Sequence, residues 1–579
     1  MTTSWQYWTA DVAKRLSEIL GTDVRPTDIV TPPDRKHGDF AYGCFRLAKA
    51  MGKSPADIAT EVVAKLDLKN SDFVSAVAAG PYVNISLGVG DAVHRVVREI
   101  ETVGEAYGTT KTSKPQILIE YAQPNTHKEI HVGHLRAMIV GQSIVNILAA
   151  DGWDVVPMSY HGDVGAHVAK CLWWIMKNGG IDSLKPEERN GMYLGKMYTE
   201  SSKQLEAHPE YKDEISDVQA KLEAHDPAWE KLWQETRRWS LDEMAKIFDD
   251  LGVKVKRQYL ESEVVDRGQQ MVDVLLEKEV AKESQGAIIV DLEEKKLGVF
   301  LVRKSDGNSL YSTKDLALAE LKFKEYPKAD RSMIVVDNRQ SFYFKQLFET
   351  LTMMKIGKPQ EFVGFEYVTL KSGAMSSREG NIVTLESFRD EVVKYATDEI
   401  VKRHAEDSWN DGKIEHTAWC IAMAGMKFGM LRQDNDKMFT FDLEQSLSFD
   451  GDTGPYCLYA ATRLASIMRK ANGSNPFLVG AIHELPLARS FDHASEKALA
   501  LSLAQFPLRV HQAAEESRPS IIAQWCIEVA QGVSEFYHSV SVLESEGELK
   551  EGRLRLVAAA RQALVSGLGL LSIPVPDEM

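Results

Sequence analysis

The stretch from residue 116 to residue 159 constrains the fold more than any other part of the chain. Gln116-Ile117-Leu118-Ile119-Glu120 is a short apolar run closed by an acid, the pattern of a strand buried on both faces of a parallel sheet. A loop with Pro124 follows, then a helical pattern from about His131 to Ala150, then a second strand, Trp153 to Ser159. Strand, helix and strand within about 40 residues make a βαβ unit, which implies a parallel sheet. Strand signals of the parallel kind return at Ala287 to Asp291, Gly298 to Val302 and Met333 to Val336. Between them, residues 180 to about 260 are strongly charged and helical, so a helical insertion is expected over roughly 180–300.

A chain of 579 residues is too long for one core, and two to four domains are expected. Residues 1–110 read as a small α+β module. A helical start leads into the turns Thr31-Pro32-Pro33-Asp34 and His37-Gly38-Asp39-Phe40, then helical runs at Ala41 to Met51 and Pro55 to Leu66. Phe73 to Leu87 alternates as strand around Gly80-Pro81, and Gly108 to Lys114 reads as a linker. The sheet domain is placed at 111–440. From about 415 the pattern is helical, and Ala498 to Leu571 is interrupted only by Pro507 and Pro519, so 441–579 is read as an all-α bundle.

Charge and cysteine content limit the function. The net charge of −16 disfavours indiscriminate phosphate binding and leaves room only for local basic patches, so composition alone does not lead to RNA. The five cysteines form no close pair, which suggests buried reduced thiols rather than a zinc knuckle or redox dithiol. No apolar run approaches the roughly 18 residues of a membrane span, and the first twenty residues lack the apolar core of a secretory signal. A cytoplasmic protein that does not engage membrane is expected.

The loop-to-helix junction carries the first chemical motif: Glu120-Tyr121-Ala122-Gln123-Pro124-Asn125-Thr126-His127-Lys128-Glu129-Ile130-His131-Val132-Gly133-His134-Leu135. His131 and His134, three apart, share one face of a helical turn, where free N–H groups and the helix dipole attract anions. Gly133 removes a side chain and lets a flat ring lie on the backbone. That chemistry suits a nucleotide; taken alone, the spacing also suits a metal pair or two surface histidines. In context, His131-Val132-Gly133-His134 resembles the HIGH signature of class I aminoacyl-tRNA synthetases, and Pro124-Asn125 with Lys128 three residues before the first histidine resembles their arginyl branch. The resemblance implies that Lys128, His131, Gly133 and His134 bind ATP and that Glu120 and Asn125 hold the α-amino and carboxylate groups of arginine.

A second motif, Ser372-Gly373-Ala374-Met375-Ser376-Ser377-Arg378-Glu379-Gly380-Asn381, resembles the KMSKS loop in its arginyl form. Met375, Ser376, Ser377 and Arg378 would act in catalysis, with Met375 also at ATP. Ala374 and Ser377 stand where the signature has lysines, so Lys128 and Arg378 are expected to supply the positive charge that phosphoryl chemistry needs. Between the motifs, Tyr311 and Asp315 are four apart on a helical pattern, and an acid beside a phenol suits a guanidinium. Val336-Asp337-Asn338-Arg339-Gln340 resembles the branch's Asp-x-Arg-Gln segment and would bring Gln340 to the same pocket.

The resemblance reaches both ends. Gly80-Pro81-Tyr82-Val83-Asn84 resembles the tip of the family's N-terminal, D-loop-contacting module, with Tyr82 stacking on a base and Asn84 bonding its edge. Tyr456 and Arg463, in the segment that opens the bundle, and Tyr537 and Met579 fall where the family meets the anticodon stem and loop. The implied architecture is a multidomain α/β protein: a Rossmann-like catalytic domain, an α+β N-terminal domain and an α-helical anticodon-binding domain. The implied activity is ATP-dependent ligation of arginine to tRNA(Arg), with Mg²⁺ accompanying ATP, no protein-ligated metal, and a monomeric enzyme.

Overall fold

A computed structural model describes residues 2–304, 311–371, 383–405, 409–472 and 491–579. The first helix, Ser4–Leu20, is closed by a capping box: the Thr3 hydroxyl accepts the Gln6 N–H, and the Gln6 side chain accepts the Thr3 N–H. Strands β1 (Phe40–Gly43), β2 (Phe73–Ala79) and β3 (Tyr82–Leu87) form an antiparallel sheet with β3 central. Ala41 to Gly43 is therefore strand, where sequence pattern suggests helix. Ala41 exchanges both backbone hydrogen bonds with Val30 and lies opposite Asn84, and these distant partners override the local propensity.

The central sheet holds β4 (Lys114–Glu120), β5 (Trp153–His161) and β6 (Arg257–Leu260). A separate antiparallel sheet of β7 (Lys282–Ser284), β8 (Ala287–Asp291) and β9 (Val299–Arg303) follows in sequence. The chain then returns to the central sheet with β10 (Ala329–Asp337) and β11 (Gln360–Phe365). The order β11-β10-β4-β5-β6 is parallel throughout. The first run of helices in the insertion ends at Asp250, since β6 pairs with β5, and a further helix, Val265–Glu277, follows. Ala287–Asp291 and Val299–Arg303 pair with each other in antiparallel fashion and never join the central sheet.

Chain order reverses between β4 and β10, which makes their carboxyl ends the switch point where open α/β sheets bind ligands. Helix Val132–Ala150 springs from that edge and is buried along most of its length. It is long and apolar enough to pass for a membrane span by composition, where the sequence pattern suggests no run of that length, yet 72% of its apolar window lies inside the protein. It packs closely because Gly141 meets Tyr121, where a Cβ would stand 2.3 Å from the ring.

Beyond the sheet, helices Leu385–Arg403 and Asp411–Arg432 pack together, and β12 (Val368–Leu370) pairs with β13 (Phe439–Phe441), a short exception to the all-helical pattern. Helices Gly454–Asn472, Ala494–Ala504, Phe506–Glu516, Ser520–Ser539 and Gly547–Leu570 form the bundle, with a further break at 540–546 that no proline marks. The N-terminal module docks on this bundle through Arg555 to Glu101 at 2.7 Å, Lys497 to Asp39 at 3.0 Å, and the Tyr107 hydroxyl, which donates to the Leu503 carbonyl at 2.9 Å. All five cysteines are buried and free.

Candidate active site

The carboxyl edge of the sheet carries the first motif. His131 is the N-cap of helix Val132–Ala150. Its Nδ1 accepts the Gly133 N–H at 3.1 Å, and its own N–H donates to His134 Nδ1 at 3.2 Å. This is a capping box made of imidazoles. Because both Nδ1 atoms accept backbone protons, both rings carry their proton on Nε2. Burial, then the neighbouring His131, pushes His134 down to about 3, and burial followed by Lys128 lowers His131. Both are therefore neutral donors at neutral pH, with ring centroids 4.0 Å apart. The space that Gly133 leaves is filled by the His131 ring, since a Cβ there would lie 2.8 Å from it.

The preceding loop is fixed by the next strand. Asn125 Oδ1 accepts the Gly162 N–H at 3.2 Å, Thr126 N–H donates to the Gly162 carbonyl at 3.0 Å, and His161 Nδ1 donates to the Pro124 carbonyl at 2.8 Å. Lys128 is half-buried, its Nζ 5.1 Å from the Tyr198 ring centroid, and burial lowers its pKa. Among the described residues it has no carboxylate partner. Met375, Ser376, Ser377 and Arg378 lie outside the described residues. The chain beyond them meets the first motif directly: Thr384 bridges His131, and Leu385 N–H donates to the Ile130 carbonyl at 2.8 Å.

The residues expected to form an amino-acid pocket depart from the sequence expectation. Asp315 has a phenol partner, but it is Tyr343, whose hydroxyl donates to Asp315 Oδ2. Tyr311 is 66% exposed, with Lys314 over its ring. Burial raises the Asp315 carboxyl to about 7 against the pull of the Tyr343 hydrogen bond, and Glu120 and Glu261 add to the rise. The Tyr160 hydroxyl is buried with no hydrogen-bond partner among the described residues. Glu120 is engaged from within: Lys322 donates to Oε2 at 2.7 Å and Gln123 to Oε1 at 2.8 Å, with Glu120 and Lys322 almost wholly enclosed. Gln340 is exposed and ends a short turn just before helix Ser341–Met354, which carries Tyr343. Tyr343 is within reach of the sequence, three residues past the Asp-x-Arg-Gln segment; Tyr160 and Lys322 carry no such signal.

At the ends of the molecule, Tyr82 is 40% exposed and forms an edge contact with the exposed Phe45 ring at 5.4 Å. Asn84, expected at a base edge, is instead 6% exposed: it shares the strand face of exposed Tyr82, opposite Val83 and Ile85, and the turn at Gly38 passes close over its Cβ. Arg463 lies 4.5 Å from the Tyr459 ring centroid and 4.6 Å from that of Tyr537, which is exposed. Tyr456, near the start of helix Gly454–Asn472, bonds Ser534 of helix Ser520–Ser539. Met579 packs partly buried on the core, next to Glu578, which Lys413 and Arg469 hold. Among the described residues, no three His, Cys, Asp or Glu side chains gather as a metal site would.

The parallel sheet and the imidazole-capped helix at its switch point lie in a stretch that matches a class I synthetase catalytic domain. The family model described as tRNA synthetases class I (R), catalytic domain, matches residues 97–443. Models of the arginyl tRNA synthetase N terminal domain and the DALR anticodon binding domain match residues 6–87 and 457–579. The chain belongs to the arginyl-tRNA synthetase family. It is 36% identical to an arginine–tRNA ligase of Bdellovibrio bacteriovorus, over 95% of this chain and 94% of the relative, and 30% identical to one of Clostridioides difficile, over 95% of each. The solved structure of Thermus thermophilus arginyl-tRNA synthetase superposes with a TM-score of 0.80 at 26% identity, covering 99% of this chain and all of that one.

Proposed function

We propose that the protein is an arginine–tRNA ligase that activates L-arginine with ATP and transfers it to the 3′-terminal ribose of tRNA(Arg). In the first step an arginine carboxylate oxygen bonds to the α-phosphorus of ATP, the bond to the bridging oxygen breaks, and pyrophosphate leaves with the charge. The Nε2–H groups of His131 and His134 face that developing charge as neutral donors, and Lys128 supplies a cation. Mg²⁺ bound with ATP contributes charge neutralisation on the phosphates. Asp315 pairs with the guanidinium, with Tyr311 and Gln340 at its rim, and Asn125 and Glu120 orient the α-carboxylate and α-amino groups. Met375, Ser376, Ser377 and Arg378 close on the phosphates. In the second step the ribose hydroxyl attacks the carbonyl carbon and AMP leaves.

Tyr82 contacts the tRNA D-loop, and Tyr456, Arg463, Tyr537 and Met579 contact its anticodon arm. Domains of 1–110, 111–440 and 441–579, a monomeric enzyme and a cytoplasmic location complete the reading. The observation that carries it is the acid Asp315, largely enclosed and raised to about 7, on the same sheet edge as the imidazole-capped helix. Arginine-dependent exchange of pyrophosphate into ATP, run with tRNA present, tests it: exchange with arginine alone among the amino acids is expected, and no exchange would reject it.

A further inference from the structure

The helix Pro227–Asp250 belongs to the insertion and carries none of the groups assigned above. One of its faces nevertheless reaches the active-site loops at i, i+3, i+4 and i+7 spacing. Trp233 Nε1 donates to the Asp163 carbonyl at 2.7 Å and Arg237 pairs with the Asp163 carboxylate at 3.0 Å. Thr236 and Ser240 both bond His127, which is fully buried between Asn125 and Lys128 in sequence. The Ser240 hydroxyl accepts the His127 N–H at 3.0 Å, and His127 Nε2 lies 2.9 Å from the Thr236 hydroxyl. The Thr236 hydroxyl also donates to the Leu232 carbonyl at 2.8 Å, and the Thr126 hydroxyl, 2.9 Å from His127 Nδ1, donates to the Gly162 carbonyl at 3.2 Å, so each ring nitrogen meets a hydroxyl anchored on a backbone carbonyl. All the polar atoms of the His127 side chain and its N–H are thus engaged.

His127 also adopts a left-handed backbone with φ of 58°, uncommon outside glycine although histidine visits it more than most residues, and the surrounding contacts hold it there. Burial first, then His167 and Arg237, pushes its ring down to about 3, so it stays neutral beside Lys128. The insertion closes in on the far side as well: a Cβ at Gly195 would stand 2.3 Å from Glu129.

We propose that His127 is a positioning residue, through which Thr236 and Ser240 of the inserted helix hold the Asn125–Lys128 loop and set Lys128 against the phosphates. The role given to Lys128 rests on the ligase reading; the latch itself is geometric. His127→Gly removes the ring while accommodating the backbone, and Thr236→Val removes only a hydroxyl. Misplacement by about 1 Å is expected to lower kcat for arginine-dependent pyrophosphate exchange about 10- to 100-fold, with the KM for ATP within about threefold of wild type. His127→Asn, which tolerates the left-handed backbone and keeps a polar group, is expected to recover part of the loss. In a Lys128→Ala background the His127→Gly effect is expected to shrink below about threefold, since the two act on one path.

Native-state amide exchange at residues 125–130 gives an arm independent of activity, and both variants are expected to accelerate it. Wild-type kcat in both His127→Gly and Thr236→Val, an undiminished effect in the Lys128→Ala background, or unchanged amide exchange would overturn the proposal. A wild-type enzyme without arginine-dependent exchange would reject the ligase reading, with the amide-exchange arm still deciding the latch.

Discussion

Replacing Asp315 by asparagine isolates the charge on which amino-acid choice rests. The carboxyl moves from an ordinary 3.8 to about 7 on burial, a penalty on the charged form of about 4 kcal/mol. A bound guanidinium relieves that penalty, because it brings an opposite charge and parallel donors to an enclosed carboxylate. Asparagine keeps the size and can still accept the Tyr343 hydroxyl, but it turns an N–H toward the ligand. A loss of about 3 kcal/mol is expected, on the order of 100-fold in kcat/KM for arginine. The assay is pyrophosphate exchange with tRNA present and arginine varied. A pH arm gives a second readout. The folded carboxyl titrates at about 7, so below that pH arginine must displace a proton. The KM for arginine should therefore rise as pH falls from 8 to 6, approaching about tenfold per unit, and the Asp315→Asn enzyme should lose that dependence. Arginine kinetics within about threefold of wild type, or the same pH slope in the variant, would refute the argument.

Lys128→Ala should lower single-turnover adenylation on the order of 100-fold while weakening ATP binding far less, with partial rescue by Ser377→Lys; a wild-type adenylation rate would reject it and make Arg378 the next cation to test. Tyr82→Ala and deletion of Met579 should each cost tRNA charging about 1–3 kcal/mol, read as kcat/KM for tRNA, while leaving ATP binding unchanged; unaltered charging in both would count against a grip at the two ends. Gly141→Ala should lower stability by about 1–3 kcal/mol in urea unfolding, because its methyl would meet the Tyr121 ring at 2.3 Å; an unchanged midpoint would show that the helix can shift.

The parallel core was legible because its evidence is local. Ile117 to Ile119 are fully buried in β4, and the apolar run, loop and helix follow one another without interruption. The His131 cap was legible for the same reason. What escaped the sequence depends on partners far along the chain. Ala41 is strand because Val30 and Asn84 flank it, and β8 is antiparallel because β9 folds back on it. A run such as Ala287 to Asp291 carries no mark of its neighbour's direction. The phenol at Asp315 comes from Tyr343, 28 residues on, and the lysine that engages Glu120 lies 202 residues away. Asn84 shows the reverse error: a motif suggests a surface contact, but the distant turn at Gly38 covers a side chain that strand alternation sets on the same face as exposed Tyr82.

Charging of tRNA across the twenty amino acids tests the central claim most directly. The account predicts stable aminoacyl-tRNA with arginine and ATP together, and with no other amino acid, on tRNA(Arg) alone. Charging with a different amino acid would contradict the assignment of Asp315, and tRNA binding without charging by any of the twenty would show an RNA-binding protein that keeps the fold without the reaction.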